Sequence, residues 1–230
     1  MTPFPISVTS PVAHSAPLPK AADVVVIGGG IIGVMTAWYL AKRGLSVFLA
    51  EKGRVAGEQS SRNWGWVRQQ GRDPAELPIM IEALRIWHGL ADETGEDLGL
   101  RQCGVAYLAR DAHELESFEN WLPHARANAV DTRLLSRAEI ADLLPTAARQ
   151  WPGAIWTPSD CRAEPWIAVP AMARAAERAG VAIAENCAVR GLDIAAGRVA
   201  GVALEKGRIA TTSVVLAGGA WSALFARAHG

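Results

Sequence analysis

The sequence predicts an α/β fold in which a parallel sheet binds a dinucleotide, and three neighbouring features predict it. The β-branched run Val24–Ile27 indicates a short buried strand. A tight turn follows with the spacing G-x-G-x-x-G, formed by Gly28, Gly30 and Gly33. A helix and a second apolar strand come next, and this strand ends at Glu51, about 20 residues further on, as a dinucleotide site requires. We therefore expect a Rossmann-like βαβ unit.

Each glycine of the turn has its own physical reason. Gly28 permits the sharp turn, Gly30 lets the backbone approach a pyrophosphate, and Gly33 lets the helix pack closely on the strand. The start of that helix presents unpaired N–H groups and the positive end of the helix dipole to an anion. Glu51 can accept hydrogen bonds from both hydroxyls of an adenosine ribose, whereas an NADP site more often places a basic residue nearby.

Residues 24–41 also form an uncharged, largely apolar run long enough to suggest a membrane helix. Three consecutive glycines at 28–30 and the return strand after them favour a buried strand and helix instead. We therefore expect no transmembrane segment.

The composition is that of a globular protein without a nucleic-acid partner. The chain has 230 residues, of which 50% are hydrophobic and 20% charged, and its 23 basic and 23 acidic side chains balance. The three cysteines, Cys103, Cys161 and Cys187, lack metal-ligand spacing and are expected to be reduced thiols in the cytoplasm, although a reactive or cofactor-linked thiol stays open. The five histidines form no metal-like cluster, so we expect no metal site.

Downstream patterns predict further elements in chain order. Apolar periodicity and turn residues predict helices over 78–94, 114–128, 168–179 and 221–228, and a capping box at Ser136 and Glu139 begins a short helix. Strands are predicted over 104–110, 181–184, 188–192, 198–205 and 213–217, the last four returning to the sheet.

This order predicts two domains behind a disordered tail. Residues 1–20 are rich in Pro, Ser and Thr and read as the tail. The nucleotide domain is expected to be discontinuous, over residues 21–75 and 166–230, with a partial α+β substrate domain over 76–165 between its two parts.

Four segments form a combination that is more specific than the glycine turn alone. They are VVVIGGGIIG with Ala37, Gly44 and Glu51, the loop SSRNWG, the turn at Ala163–Pro165, and VVLAGGAWS at residues 214–222. Together they resemble the D-amino-acid-oxidase-like family of FAD-dependent oxidoreductases, which includes glycine and sarcosine oxidases and D-amino-acid dehydrogenases.

The resemblance implies FAD as cofactor and assigns it a set of binding residues. The set comprises Gly28, Gly30, Ile31, Ile32, Gly33, Glu51, Lys52, Ser60, Ser61, Arg62, Asn63, Trp64, Gly65, Val189, Ala217, Gly218 and Trp221. Glu51 would bind the adenosine ribose, and Trp64 would lie beside the isoalloxazine. Two roles stay open on the sequence, since Arg62 is equally suited to a surface salt bridge and Trp64 to core packing.

The implied reaction is oxidation of the C–N bond of an amino acid or secondary amine, with hydride transfer to flavin N5. The resemblance identifies no catalytic residue in this chain. Arg68 and Gln69 follow the SSRNWG loop in a position that can face substrate.

Two alternatives to this activity stay open. One is a non-catalytic FAD-binding subunit or fragment that needs a partner chain, and the other is a different flavin- or NAD-linked oxidoreductase. Members of the family are usually longer, and they carry most substrate contacts after the strand that resembles residues 214–217. We therefore expect a missing segment or a second chain to complete the fold.

Overall fold

The computed structural model describes residues 5–147 and 150–229, and the chain divides into two compact units. The first unit consists of Met1–Trp64, Asp92–Leu98 and Glu164–Gly230. The second unit consists of Gly65–Ala91 and Gly99–Ala163.

Thirteen strands occur in the described residues. In chain order they are β1 (Val24–Ile27), β2 (Val47–Ala50), β3 (Trp66–Val67), β4 (Arg101–Gln102), β5 (Val105–Leu108), β6 (Arg133–Leu135), β7 (Ala154–Thr157), β8 (Cys161–Arg162), β9 (Ala182–Ala184), β10 (Val189–Ala195), β11 (Arg198–Leu204), β12 (Gly207–Ala210) and β13 (Ser213–Leu216).

The same described part of the chain contains six α-helices. They are α1 (Ile31–Lys42), α2 (Leu77–Thr94), α3 (Ala112–Ala127), α4 (Arg137–Leu143), α5 (Pro165–Arg178) and α6 (Ser222–Arg227). Short 3₁₀ helices lie at Gln59–Ser61, Pro74–Glu76 and Gly219–Trp221.

The first unit is built on a parallel sheet, which confirms the predicted fold class. Its strand order is β13-β1-β2-β9, and every pair in it is parallel. Val24 pairs with Ser213 on one side and with Val47 on the other. Because β1 is covered on both faces, its first three residues are buried, as expected for a parallel sheet.

Two of the four strands predicted to return to this sheet do not join it. β10 and β11 form a separate antiparallel sheet with β12, in the order β10-β11-β12. Short turns between these strands favour antiparallel hairpins, whereas a parallel return needs a crossover of a dozen or more residues. Only β9 and β13 complete the parallel sheet, and α5 precedes β9 as such a crossover.

Helices α1 and α5 pack on each other beside the sheet. In α1 the side chains of Val34, Ala37 and Trp38 are buried. The buried positions of α5 are mostly alanine, and such small side chains allow the two helix axes to approach closely.

The first unit differs in its boundaries from the predicted nucleotide domain. Its first segment ends at Trp64, whereas the first part of the predicted domain ends at residue 75, and the unit also includes Asp92–Leu98. Ion pairs explain this inclusion, since both Arg174 and Arg178 bond to Glu96, at 2.6 and 2.7 Å. Pairing of this kind joins residues about 80 positions apart, so no local pattern in the sequence predicts it.

The segment before β1 was expected to be a disordered tail, and the structure differs from that expectation. Ser15 forms an antiparallel bridge with Ala184, on the outer edge of β9, and Ala16 N–H donates to Ile183 O at 2.9 Å. Ala21 forms a bridge with Ala210 in β12. Residues 1–4 of the predicted tail lie outside the described residues.

The second unit contains two small antiparallel sheets, β3-β8-β4 and β5-β7-β6. The capping box at the start of α4 is confirmed, with Glu139 N–H donating to Ser136 Oγ and Ser136 N–H donating to Glu139 Oε2. These bonds and the nearby Arg133 guanidinium lower the pKa of Glu139 to about 2. Leu135, Ile140 and Ala154 form a core cluster beneath this helix.

None of the helices described in the structure combines the length and the apolar character needed to cross a bilayer.

We predict opposite effects on stability for alanine at two helical glycines. In Gly33→Ala the added methyl group would overlap the backbone carbonyl oxygen of Gly28, so the free energy of unfolding should fall by about 1–3 kcal/mol. In the control, Gly89→Ala, nothing lies within 4 Å of the added methyl group, so stability should rise by about 0.5–1 kcal/mol. Urea denaturation of both variants measures this, and a Gly33→Ala chain as stable as the parent would contradict the packing described.

Candidate functional site

The four strands of the parallel sheet end at one edge, and this edge holds most of the predicted site residues. Gly28, Glu51 and Ala217 directly follow β1, β2 and β13. In open α/β sheets, ligands bind outside the carboxyl ends of the strands. The sequence-predicted residues are therefore placed where the fold accommodates a ligand.

The glycine turn is packed between this edge and α1. Gly28 has a φ of +112°, and a methyl group there would overlap the carbonyl oxygen of Ala217. A methyl group on Gly30 would lie 3.1 Å from Ser60 Oγ. Backbone and small polar atoms thus surround the turn at close range, and side-chain oxygens of Glu51 and Ser60 accept from the amides of Gly29 and Ile31.

Glu51 is 7% exposed and is held in place by two backbone amides. Gly29 N–H donates to its Oε2 at 2.7 Å, and Gly53 N–H donates to its Oε1 at 2.6 Å. Each carboxylate oxygen has two lone pairs, so each keeps capacity for a further donor. A fixed pair of acceptors with spare capacity fits the two hydroxyls of a ribose.

The loop after β2 brings two serines to the start of α1. Ile31 N–H donates to Ser60 Oγ at 2.9 Å. Ser61 Oγ is buried and has no hydrogen-bond partner among the described residues. Since buried polar groups normally have partners, this unpaired hydroxyl fits a site that a phosphate oxygen of the ligand completes.

Lys52 and Arg62 are both paired with Glu58, and Lys52 also lies over the ring of Trp221. Lys52 Nζ lies 3.0 Å from Glu58 Oε1 and 3.9 Å from the centroid of the Trp221 ring. Arg62 Nη1 lies 3.2 Å from Glu58 Oε2, and its Nη2 donates to Gly57 O at 2.7 Å. In this structure the Arg62 guanidinium is therefore in a partly exposed salt bridge, the second of the two roles that the sequence left open.

Two of the apolar predicted residues of the first unit are largely exposed. Ile32, in the first turn of α1, is 68% exposed, and Trp64 is 79% exposed. Asn63, beside Trp64, donates from Nδ2 to Gln59 O at 3.2 Å. An exposure of 79% does not agree with core packing of Trp64 within this chain.

Three other predicted residues lie in different settings. Gly218 precedes the 3₁₀ helix Gly219–Trp221, whose Trp221 N–H donates to Gly218 O at 3.1 Å. Val189, the first residue of β10, packs against the core cluster that includes Ala50 and Cys187. Gly65 belongs to the second unit, where its carbonyl accepts a hydrogen bond from Ala163 N–H at 2.8 Å.

The buried thiols are not activated nucleophiles. Burial raises the pKa of the Cys161 thiol to about 11 and also raises that of Cys187. Both are therefore protonated at neutral pH, which removes support for either as the reactive or cofactor-linked thiol that the sequence left open. All three cysteines are free thiols.

In the second unit, Arg68 and Gln69 have different environments. The Arg68 guanidinium lies 5.6 Å from the ring centroid of Trp66 and 5.7 Å from that of Tyr107. Gln69 is buried, and its N–H donates to Asp160 Oδ1 at 2.7 Å. Desolvation raises the pKa of Tyr107 and that of Asp160.

Sequence reasoning missed two charged residues at the sheet edge. Glu185 directly follows β9 and Arg54 lies in the loop after Glu51; both are buried and hydrogen-bonded. A signal for Glu185 was present, because it stands at the end of a strand as Glu51 does. Nothing in the local pattern distinguishes Arg54 from a surface arginine.

Comparison with protein families gives one match over most of the chain. A family model described as FAD dependent oxidoreductase, abbreviated DAO, matches residues 23–230.

Similar proteins are amino-acid and amine oxidoreductases. Human "Sarcosine dehydrogenase, mitochondrial" is 33% identical over 232 residues, which cover 96% of this chain and 25% of the relative. "Sarcosine oxidase subunit beta" from an Arthrobacter species is 31% identical over 219 residues, covering 92% of this chain and 54% of the relative. The chain thus spans between a quarter and about half of the length of these relatives.

A solved structure supports the same conclusion. The L-amino acid deaminase from Proteus myxofaciens, solved in complex with anthranilate, superposes with a TM-score of 0.89 at 37% sequence identity. The match covers 94% of this chain and 50% of the deaminase chain. On these grounds the chain belongs to the family of FAD-dependent oxidoreductases that includes the sarcosine and glycine oxidases.

Proposed function

We propose that this chain is the FAD-binding portion of an enzyme that oxidises the C–N bond of an amino acid or a secondary amine. The observation that carries the proposal is the buried Glu51 carboxylate, fixed by the amides of Gly29 and Gly53 beside the glycine turn. This is the arrangement that an adenosine ribose and the following pyrophosphate require.

Each part of the edge has a role in holding FAD. Glu51 would accept the ribose hydroxyls, and the start of α1 with Gly30, Ser60 and Ser61 would hold the pyrophosphate. Arg62 would contribute charge to the phosphates by exchanging its Glu58 partner for them. Such an exchange costs little, because partly exposed ion pairs are worth about 0–1 kcal/mol.

The remaining predicted residues would contact the rest of the cofactor. Val189 would touch adenine, and Ala217 and Gly218 would close over FAD from the end of β13. Trp64 and Trp221 offer exposed rings to planar groups. Lys52 would remain near the adenine end, where its ammonium group contacts Trp221.

When bound, FAD would supply the acceptor for the hydride that the substrate carbon gives up. The substrate class comes from the relatives, whose names refer to sarcosine, to glycine and to L-amino acids. Within the proposal, the chain's own residues bind and orient the cofactor.

A second candidate is a non-catalytic FAD-binding subunit, or a portion completed by another chain. It is favoured by the similarity to mouse "Pyruvate dehydrogenase phosphatase regulatory subunit, mitochondrial", which is 29% identical over 212 residues, or 91% of this chain. The name "Sarcosine oxidase subunit beta" also points to assembly with other chains in that relative.

We propose a cytoplasmic location for the protein, and its three free thiols support this proposal.

The ribose role of Glu51 predicts a selective loss of affinity in Glu51→Gln. Glutamine offers one acceptor oxygen where two amides donate, and its NH₂ group would face one of them. The Kd for FAD should rise about tenfold, while the Kd for FMN, which has no adenosine, should stay unchanged.

Titration by flavin fluorescence measures both constants. The control is Glu82→Gln, which neutralises an exposed carboxylate paired with Arg85 on α2 and should leave both constants as in the parent. Equal FAD affinities of Glu51→Gln and the parent would refute the assignment.

If the chain binds FAD, the purified protein should have the visible absorbance spectrum of a flavin. The purified chain, mixed with FAD and desalted, should keep flavin absorbance. Anaerobic addition of sarcosine, glycine and a panel of D- and L-amino acids then separates the two candidates. Bleaching by one substrate supports the enzyme, whereas retained flavin that none of them bleaches favours the binding subunit or a portion that needs another chain. Loss of all flavin from folded protein would count against both.

A further inference from the structure

Two charged side chains join the segment before β1 to the loop that follows Glu51. We call residues 10–16 the N-terminal strap. Residues 52–57 are called the acid loop because they directly follow the acidic residue Glu51. Glu185 is 4% exposed and bonds to both segments. Its Oε1 accepts from Val55 N–H in the acid loop, and its Oε2 accepts from Ala13 N–H in the strap, each at 2.8 Å.

Arg54, which is 9% exposed, makes a second connection between the same two segments. Its Nε donates to Ser10 O at 2.7 Å, and its Nη1 donates to Gly53 O at 3.0 Å and to Asn186 Oδ1 at 2.6 Å. A buried guanidinium is costly unless its donors are paired, so the strap is part of what keeps Arg54 in this position.

The acid loop in turn sets the geometry of the dinucleotide edge. Gly53 N–H holds Glu51 Oε1, and Ala56 N–H donates to the carbonyl of Gly29 in the glycine turn at 3.0 Å. Ala56 has a φ of +61°, a conformation that a non-glycine residue keeps only when its surroundings enforce it. Displacement of this loop would therefore move both the Glu51 carboxylate and the glycine turn.

We propose that Glu185 and Arg54 are positioning residues for the adenosine end of FAD, acting through Gly53 and Glu51, and that the N-terminal strap completes this site. The inference rests on the proposed role of Glu51 as the ribose ligand. It gives a binding function to a segment that precedes the βαβ unit and contains no nucleotide motif. It also explains why two charged side chains are buried beside the sheet edge rather than left in solvent.

The test compares the full chain with Glu185→Gln. Glutamine keeps the shape of the side chain but can accept at only one of its two terminal atoms, so one of the two segments loses its bond. We expect the Kd for FAD and the Kd for ADP to rise at least about fivefold, with the Kd for FMN unchanged. Without any ligand, amide hydrogen exchange at Gly53 and Val55 should become faster.

The matched control is Asp23→Asn. Asp23 Oδ2 accepts from Ser46 N–H at 2.7 Å, at the opposite, amino-terminal edge of the same sheet. This variant also weakens a bond between a carboxylate and a backbone amide, but it should leave the affinities for FAD and ADP as in the parent. A loss of affinity in both variants would indicate a general effect on stability and overturn the proposal.

The remaining outcomes are also decisive. If the parent and Glu185→Gln bind FAD and ADP equally, the positioning role is refuted while the proposed function stands. If the folded parent binds neither ligand, the proposed function fails and the inference with it. Where Glu185→Gln does not fold, Arg54→Lys replaces it, since lysine keeps the charge but cannot donate to Ser10, Gly53 and Asn186 together. Unchanged FAD affinity in Arg54→Lys then overturns the proposal.

Discussion

The candidate cofactor site of the first unit depends on the two hydrogen bonds that the buried Glu51 carboxylate accepts. The carboxylate binds the amide of Gly29 at the end of β1 and that of Gly53 after β2, so it ties two neighbouring strand ends together. A carboxylate removed from water is costly unless hydrogen bonds compensate for the loss of solvation. The two amides provide that compensation, and they also hold the carboxylate in an orientation suited to a ribose.

Around this carboxylate, the edge is assembled from parts that are distant in the sequence. β1 pairs with β13 almost 200 residues later, and Ala217 after β13 closes against Gly28. Glu185 comes from the end of β9 and reaches the loop that follows β2. The dinucleotide edge therefore depends on segments from both ends of the sequence, which meet only in the folded sheet.

The two units contribute different kinds of surface. The first presents backbone amides, hydroxyl groups and a fixed carboxylate, which suit a phosphate-bearing ligand. The second holds Arg68 beside Trp66 and Tyr107, together with the buried Asp160 carboxyl. Similarity to sarcosine oxidase subunit beta and to L-amino acid deaminase extends over both units but only over about half of each relative. The proposed catalytic role accordingly concerns the cofactor side of the reaction.

Features that depend on neighbouring residues could be predicted from the sequence. The glycine spacing with its acid, the helix predicted over 78–94 and the capping box at Ser136 are local patterns, and the structure contains all of them, with the helix at Leu77–Thr94. Features that depend on distant partners became visible only in the folded chain. Glu96 brings residues 92–98 into the first unit through Arg174, and Glu185 orders a segment expected to be disordered. These contacts leave no periodicity in the sequence, because each one joins residues that are close only after folding.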